Sequence, residues 1–397
     1  MTATPGDLYQ VKPAPPRGLL RVLTLTPFFP AADDPASGCF VAEPLASLPE
    51  FQIENTVIAA QPFYRAKPSS LPSAPANWVR YPSLPGASGL STAGALLFAR
   101  IVGQVRRQHA RQPIRVIHAH APLPCGHAAM LLSRELGIPY AVTVHGLDAF
   151  SSLDHKTRPS LWNRRVSTNV FLSAARVICI SERVRHEVLQ GTGTRARTSV
   201  VYNGVDPDRF VPGPEPESPS VLCVANLIPI KGHETLIRAA AELKKEFPAL
   251  TWNLIGDGPL LAPLRALADQ LGVSGQVNFL GGKPRQAVAG AMRQCTLFAL
   301  PSRYEGLGCV YLEAMSCAKP AIGCRGQGIG DIIQHGRSGF LVGADNPREL
   351  ALAVAMLLRD KGLRQRIGET ARQIILEDLT LRHQAENLAR IYRELAA

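Results

Sequence analysis

Short apolar, β-branched runs alternate along the chain with longer segments of helical periodicity. In the first half the runs are LRVLTLT (20–26), QIENTVIAA (52–60), RVIHAH (115–120), YAVTVHG (140–146) and RVICI (176–180); helical patterns start near residue 38 and cover 124–136 and 181–190. Nearly continuous apolar strands separated by helices predict βαβ units around a parallel sheet covered on both faces. After the Pro- and acid-rich VPGPEPESPS (211–220) the alternation restarts with VLCVAN, TWNLIG, QVNFLG, TLFALPS and PAIGC as strands, and helices over 231–246, 259–271, 284–293 and 306–316. The pattern predicts two doubly wound α/β domains, 1–210 and 220–380, joined by a linker at 211–219. A last helical segment, 381–397, is expected to pack across the domain junction.

Sheets of this kind bind ligands at the carboxyl ends of their strands, and two of them facing each other make a cleft. Composition fits this picture: 397 residues, 46% hydrophobic and 19% charged, without a low-complexity tract, suffice for two cores and exclude a disordered chain. Charge adds an asymmetry, because the net +12 divides into +9 before residue 211 (22 basic, 13 acidic) and +3 after it (21 basic, 18 acidic). A basic surface attracts polyanions, whether nucleic acid, anionic lipid or nucleotide phosphate. Eight cysteines without a C-x-x-C pair read as reduced thiols and argue against a disulfide framework or zinc cage. Asp7, Lys12, Pro13, Pro15 and Pro16 ahead of Arg21 do not read as a secretory signal, and the longest uncharged stretch, Tyr81–Ala99, is too rich in Gly, Ser and Pro to span a bilayer. The expected location is cytoplasmic, peripheral to the inner face of the membrane at most.

Candidate chemistry gathers at strand ends. PSRYEGLGCVYLEAMSC (301–317) leaves a strand, turns through Gly306, Leu307 and Gly308 and starts a helix, where bare N–H groups and the positive dipole end suit an anion. Glu305 stands at the mouth of that loop and Glu313 lies two turns into the helix. Carboxylates accept hydrogen bonds from sugar or ribose hydroxyls; the plainer alternative is a first-turn dipole residue and a solvated face. VANLIPIKG (224–232) sets Lys231 before another helix, where an ammonium can neutralise a diphosphate without a metal. IGDGP (255–259) places Gly256, Asp257 and Gly258 at a third strand end, either for close backbone approach or as an ordinary turn.

In this order and spacing, Lys231, the GDGP turn and the E-x7-E pair Glu305 and Glu313 resemble glycosyltransferase family 4, the retaining group 1 enzymes. NGVD (203–206), HGRSGFLV (335–342), TPFFP…SGCF, IHAHAPLPCGHAA and VTVHGLD extend the resemblance over nearly the whole chain. It implies the GT-B fold, two Rossmann-like doubly wound domains with an interdomain cleft. The first domain would hold a saccharide or lipid-linked acceptor and the second a UDP-, GDP- or ADP-linked sugar, in surface polysaccharide or glycolipid biosynthesis. By the same resemblance Glu313 would hold the ribose hydroxyls, Glu305 the donor sugar and Lys231 the diphosphate. Amides around Gly306, Leu307 and Gly308 would cradle phosphate, and Gly38 would approach from the other domain; base and sugar selectivity is expected in the loops around Gly282 and Lys283 and flanking Glu305. His145 matches the histidine beside the reacting carbon. The departing phosphate would take the acceptor proton, so that neither an enzyme nucleophile nor a metal or other cofactor is expected.

Two positions depart from that pattern. Asn226 stands where many members have Arg, leaving one cation fewer, and GIGD (328–331) offers Asp331 where many have Glu. His118, His120 and His127, with His145, suggest a metal site because H-x-H on a strand puts both rings on one face, but no downstream Asp or His completes a signature. They are expected to line or support the acceptor cleft. Asp206-Pro207-Asp208 reads as a turn, and Gly326-x-Gly328-x-Gly330 lacks dinucleotide spacing. HKTRPSLWNRRV (155–166) gathers Lys156, Arg158, Arg164 and Arg165 around Trp162, a segment suited to an anionic membrane surface or to plain solvation. Competing readings are a GT-B epimerase or phosphorylase and, from another class, a nucleic-acid-binding protein, which lacks the expected interleaving of basic and aromatic residues.

Overall fold

The computed structural model describes residues 18–397 apart from 33, 35, 36, 67, 70, 86 and 149–157. The first domain runs β1 (Leu20–Thr26), α1 (Cys39–Ala46), β2 (Ile53–Pro62), β3 (Asn77–Tyr81), α2 (Ala87–Arg111), β4 (Val116–His120), α3 (His127–Leu136), β5 (Tyr140–Val144), α4 (Arg158–Ser173), β6 (Arg176–Cys179), α5 (Glu182–Thr192) and β7 (Thr198–Val200). Its strands are parallel in the order β3-β2-β1-β4-β5-β6-β7. β4 and β5 are buried throughout, as strands covered on both faces must be.

The second domain runs β8 (Ser220–Val224), α6 (His233–Leu243), β9 (Thr251–Ile255), α7 (Leu261–Gln270), β10 (Val277–Gly281), α8 (Arg285–Gln294), β11 (Leu297–Ala299), α9 (Cys309–Ser316), β12 (Ala321–Cys324), β13 (Gly339–Val342), α10 (Pro347–Arg359) and α11 (Lys361–Asp378). Its parallel order is β10-β9-β8-β11-β12-β13. Both sheets therefore reverse direction beside their first strand, at β1/β4 and β8/β11, the switch points where ligands of doubly wound folds sit.

Three features add to the sequence reading. The Gly- and Ser-rich stretch after Tyr81 enters a 25-residue helix, α2, whose Ala93, Leu97, Ile101 and Val105 form a fully buried stripe at four-residue spacing. Around the expected linker, Val205 pairs with Leu379 and Leu381, and Glu215 accepts from Arg364 Nε at 2.8 Å and Nη2 at 3.0 Å, which ties the 211–219 stretch to α11. After α11 the chain crosses back, and α12 (Leu381–Ala396) buries Ala385, Leu388, Ala389 and Tyr392 against Val22, Val41, Leu48 and Ile53 of the first domain. All eight cysteines are free thiols, six of them buried.

Candidate active site

Because β8 and β11 are neighbours in the second sheet, the loops that follow them meet. Gly232, with φ +72°, makes this contact possible, since a Cβ there would collide with the Pro301 carbonyl. The meeting brings Lys231 Nζ to 2.6 Å from Glu305 Oε2, with the side chains 20% and 13% exposed. Glu305 precedes α9 and pairs with a lysine, so it is not a first-turn dipole residue.

Glu313, inside α9, is not on a solvated face either. It is 3% exposed, and Arg285 Nη1 donates to its Oε1 at 3.0 Å. Burial pushes the Glu313 carboxyl up and Arg285 pulls it back down. The same guanidinium reaches the first domain, where Nη2 donates to Glu43 Oε2 at 3.1 Å, and Arg209 bonds the other Glu43 oxygen.

The first domain contributes His145 at the end of β5. Its ring lies 4.8 Å from Phe40 and 5.9 Å from Phe28, Nε2 is 2.9 Å from His120 Nδ1, and its backbone N–H donates to Asp148 Oδ1 at 2.8 Å. Burial, aided by His118, pushes the imidazole down to about 3, so it is neutral near pH 7. The two domains touch through backbone at this point: a Cβ on Gly306 would come within 2.7 Å of the His145 carbonyl. Ser181 Oγ donates to the Gly306 carbonyl at 2.5 Å, and the Glu182 N–H donates to Asp331 Oδ2 at 2.7 Å. Asp331 thus caps α5 of the first domain.

These loops enclose a cleft of about 760 Å³ between the carboxyl ends of the two sheets. Of the sequence-derived candidates, His145, Asn226, Lys231, Gly256, Asp257, Lys283, Glu305, Leu307, Gly308 and Glu313 line it. Gly38, Gly258 and Gly306 stand behind the wall, Gly38 against the Phe28 backbone and Gly258 against that of Leu227. Of the histidines expected to line or support the acceptor cleft, none lines this one, and His120 stands against its lining residue His145. His118 is fully buried with Nδ1 2.6 Å from the Tyr392 hydroxyl, His120 sits behind His145, and His127 packs on Gly94 of α2. In 206–208, Asp206 Oδ1 accepts from the N–H groups of Asp208 and Arg209 at 3.0 and 3.1 Å, which is turn chemistry. Among the described residues no group of three or more His, Cys, Asp or Glu is placed to hold a metal ion. Sequence reasoning missed Arg285 and Glu43, 242 residues apart, along with the cleft residues Cys39, Phe40 and Asn203. No local pattern marks Arg285 and Glu43, which are ordinary helix residues until the domains meet, whereas Cys39, Phe40 and Asn203 lie in the SGCF and NGVD motifs without being singled out by them.

Two doubly wound domains whose switch points face one cleft, with a Lys–Glu pair on one wall and a neutral histidine on the other, define a GT-B glycosyltransferase. Residues 205–374 match the family described as Glycosyl transferases group 1, and residues 45–209 match Glycosyltransferase Family 4. An uncharacterized glycosyltransferase of Methanocaldococcus jannaschii is 32% identical over 260 residues, 66% of this chain and 70% of that one. The chain belongs to this family of glycosyltransferases. It is also 28% identical, over 309 residues, to the GDP-mannose-dependent α-(1-6)-phosphatidylinositol monomannoside mannosyltransferase of Mycolicibacterium smegmatis, covering 73% of this chain and 79% of that one. Among solved structures, HepE of Anabaena in complex with UDP and glucose superposes with a TM-score of 0.74 at 20% identity, covering 94% of this chain and 100% of that one.

Proposed function

We propose that the chain transfers a hexose, with retention and without a metal, from a nucleoside diphosphate sugar to a saccharide or lipid-linked acceptor. The observation that carries this reading is the convergence of Lys231, Glu305, Glu313 and His145 on one cleft. The Lys231 ammonium faces the diphosphate and stabilises the charge that grows as the sugar leaves. Amides of the loop before α9 add to it from a helix N-terminus. Glu305, released from Lys231 by the arriving phosphates, accepts from the sugar hydroxyls, and Glu313 accepts from the ribose. Neutral His145 orients the sugar at its reacting carbon. The bond from that carbon to phosphate breaks as the bond to the acceptor oxygen forms on the same face, and the acceptor proton passes to the departing phosphate oxygen. Neither an enzyme nucleophile nor a bound cation enters this balance.

The names of its relatives support UDP- and GDP-linked hexoses as donors. The acceptor belongs to surface polysaccharide or glycolipid assembly on the inner face of the cytoplasmic membrane. No helix among the described residues is long and apolar enough to cross a membrane, so a lipid-linked acceptor would be met at the membrane surface.

The test is nucleoside diphosphate release from UDP-, GDP- and ADP-sugars in EDTA, with donor binding read by thermal shift. Release or stabilisation by one donor class is expected, with loss in Glu313→Ala and at least about a hundredfold slower turnover in Lys231→Ala. Binding of no donor by the wild type would end the transferase reading of this cleft.

A further inference from the structure

Arg285 is the most heavily committed cation in the cleft, yet it opposes a carboxylate rather than lying free for a phosphate. Its two terminal nitrogens serve carboxylates from different domains, Glu313 at 3.0 Å and Glu43 at 3.1 Å, while its plane lies 5.6 Å from the Phe210 ring. Arg209 holds the second Glu43 oxygen, so two cations and two carboxylates form one chain from α1 to α9. Arg285 engages Oε1 of Glu313, and its own buried Nε has no acceptor among the described residues.

We propose that Arg285 is a positioning residue that aims the Glu313 carboxylate at the nucleotide ribose and couples that aim to domain closure through Glu43. The inference rests on reading the cleft as a nucleotide-sugar site. A carboxylate on a buried helix has rotamer freedom that one fixed hydrogen bond removes, and the bond to Oε1 leaves Oε2 for the two neighbouring ribose hydroxyls. The planar fork is what allows one side chain to serve both domains; an ammonium, a single point charge, does not span the two carboxylates. Without the guanidinium, closure would bring Glu43 and Glu313 together as like charges, so the same residue that orients the acceptor of ribose hydroxyls makes the closed form favourable.

The experiment measures binding of UDP-glucose and GDP-mannose, and of the 2′,3′-dideoxy form of whichever the wild type binds, to the full chain and its Arg285→Ala, Arg285→Lys, Glu43→Gln and Glu313→Gln variants. These diesters do not titrate near neutral pH, so the readout reports the protein. The wild type is expected to prefer the ribose form at least tenfold. Arg285→Ala and Arg285→Lys are expected to shrink that preference below threefold, as Glu313→Gln does, whereas a merely structural role would weaken both ligands equally. Glu43→Gln should keep the ribose preference but enlarge the free enzyme by small-angle scattering. Arg285→Lys retains the charge and guards against simple misfolding, which a melting curve checks. Full ribose preference in both Arg285 variants, alongside its loss in Glu313→Gln, would overturn the inference alone. An unchanged scattering radius in Glu43→Gln would overturn the closure half. A wild type that binds neither donor would overturn the nucleotide-sugar reading and this inference with it, whereas equal binding of the ribose and dideoxy forms would leave the donor site standing and overturn this inference.

Discussion

At the scale of single residues, the imidazoles behind the cleft make a sharp case. Tyr392 bonds His118 Nδ1, Thr143 Oγ1 lies 2.7 Å from His118 Nε2, the His118 and His120 rings are 4.4 Å apart, and His120 bonds His145. Burial pushes His118 and His145 down from 6.5 to about 3, and burial with its two neighbours pushes His120 down as well. Each is neutral in the folded protein at pH 7, so the unfolded chain takes up protons first as the pH drops. The contribution of these histidines to stability is fully present above pH 6.5 and is lost as the pH falls toward about 3. Their ring resonances, followed by NMR, should therefore show no titration between pH 8 and about 5. A normal midpoint near 6.5 for His145 would mean that the ring is solvated and carries charge near the donor. Lys231, Glu305 and Glu313 were legible as candidates because strand-end loops concentrate chemistry. The partners of Glu313 were not, because Arg285 and Glu43 become neighbours only through two separate sheets.

Secondary-structure elements show the same division between local and distant information. β1, β4, β8 and β11 could be read from their own apolar runs, and their parallel direction followed from the helices between them, whereas the order of the strands did not. Helix α2 could not: its stripe of Ala93, Leu97, Ile101 and Val105 is diluted by Gly, Ser and Thr in its first turns, and Gly94 is there because the His127 side chain packs on it. The fate of α12 was half legible. Its periodicity marked a helix, but its docking on the first domain is fixed by Tyr392 reaching His118, 274 residues earlier, and by the pairing of Val205 with Leu379 and Leu381. Leu388→Ala on this helix should cost about 2–5 kcal/mol, because the methyls it removes are buried against Val22, Val41 and Leu48. Urea unfolding checks this against Leu352→Ala, whose side chain is 60% exposed on α10 and whose loss should matter little. Equal midpoints for the two variants would mean that α12 is not part of the first domain's core.

For the whole molecule, the unequal charge of the two halves meets an unequal surface. Six of the large exposed hydrophobic residues, Phe63, Tyr64, Leu84, Leu147, Leu161 and Trp162, follow the carboxyl ends of β2, β3 and β5 or open α4, on the rim of the first domain. Arg65, Arg164 and Arg165 are exposed in the same segments, and Lys156 lies outside the described residues. Apolar side chains interleaved with arginines on one rim fit the interface of an anionic bilayer: each Lys or Arg near the surface adds about 1 kcal/mol, and Trp and Leu anchor below the headgroups. The arrangement would bring a lipid-linked acceptor to the cleft mouth while the weakly charged second domain stays in water. The protein should therefore sediment with vesicles rich in anionic lipid at low salt, and high salt should weaken this because exposed charges are screened. Leu161→Ser combined with Trp162→Ser should reduce vesicle binding several-fold and leave donor binding intact, since neither residue lines the cleft. Failure to bind anionic vesicles at low salt would remove the membrane face and leave a soluble saccharide as the acceptor.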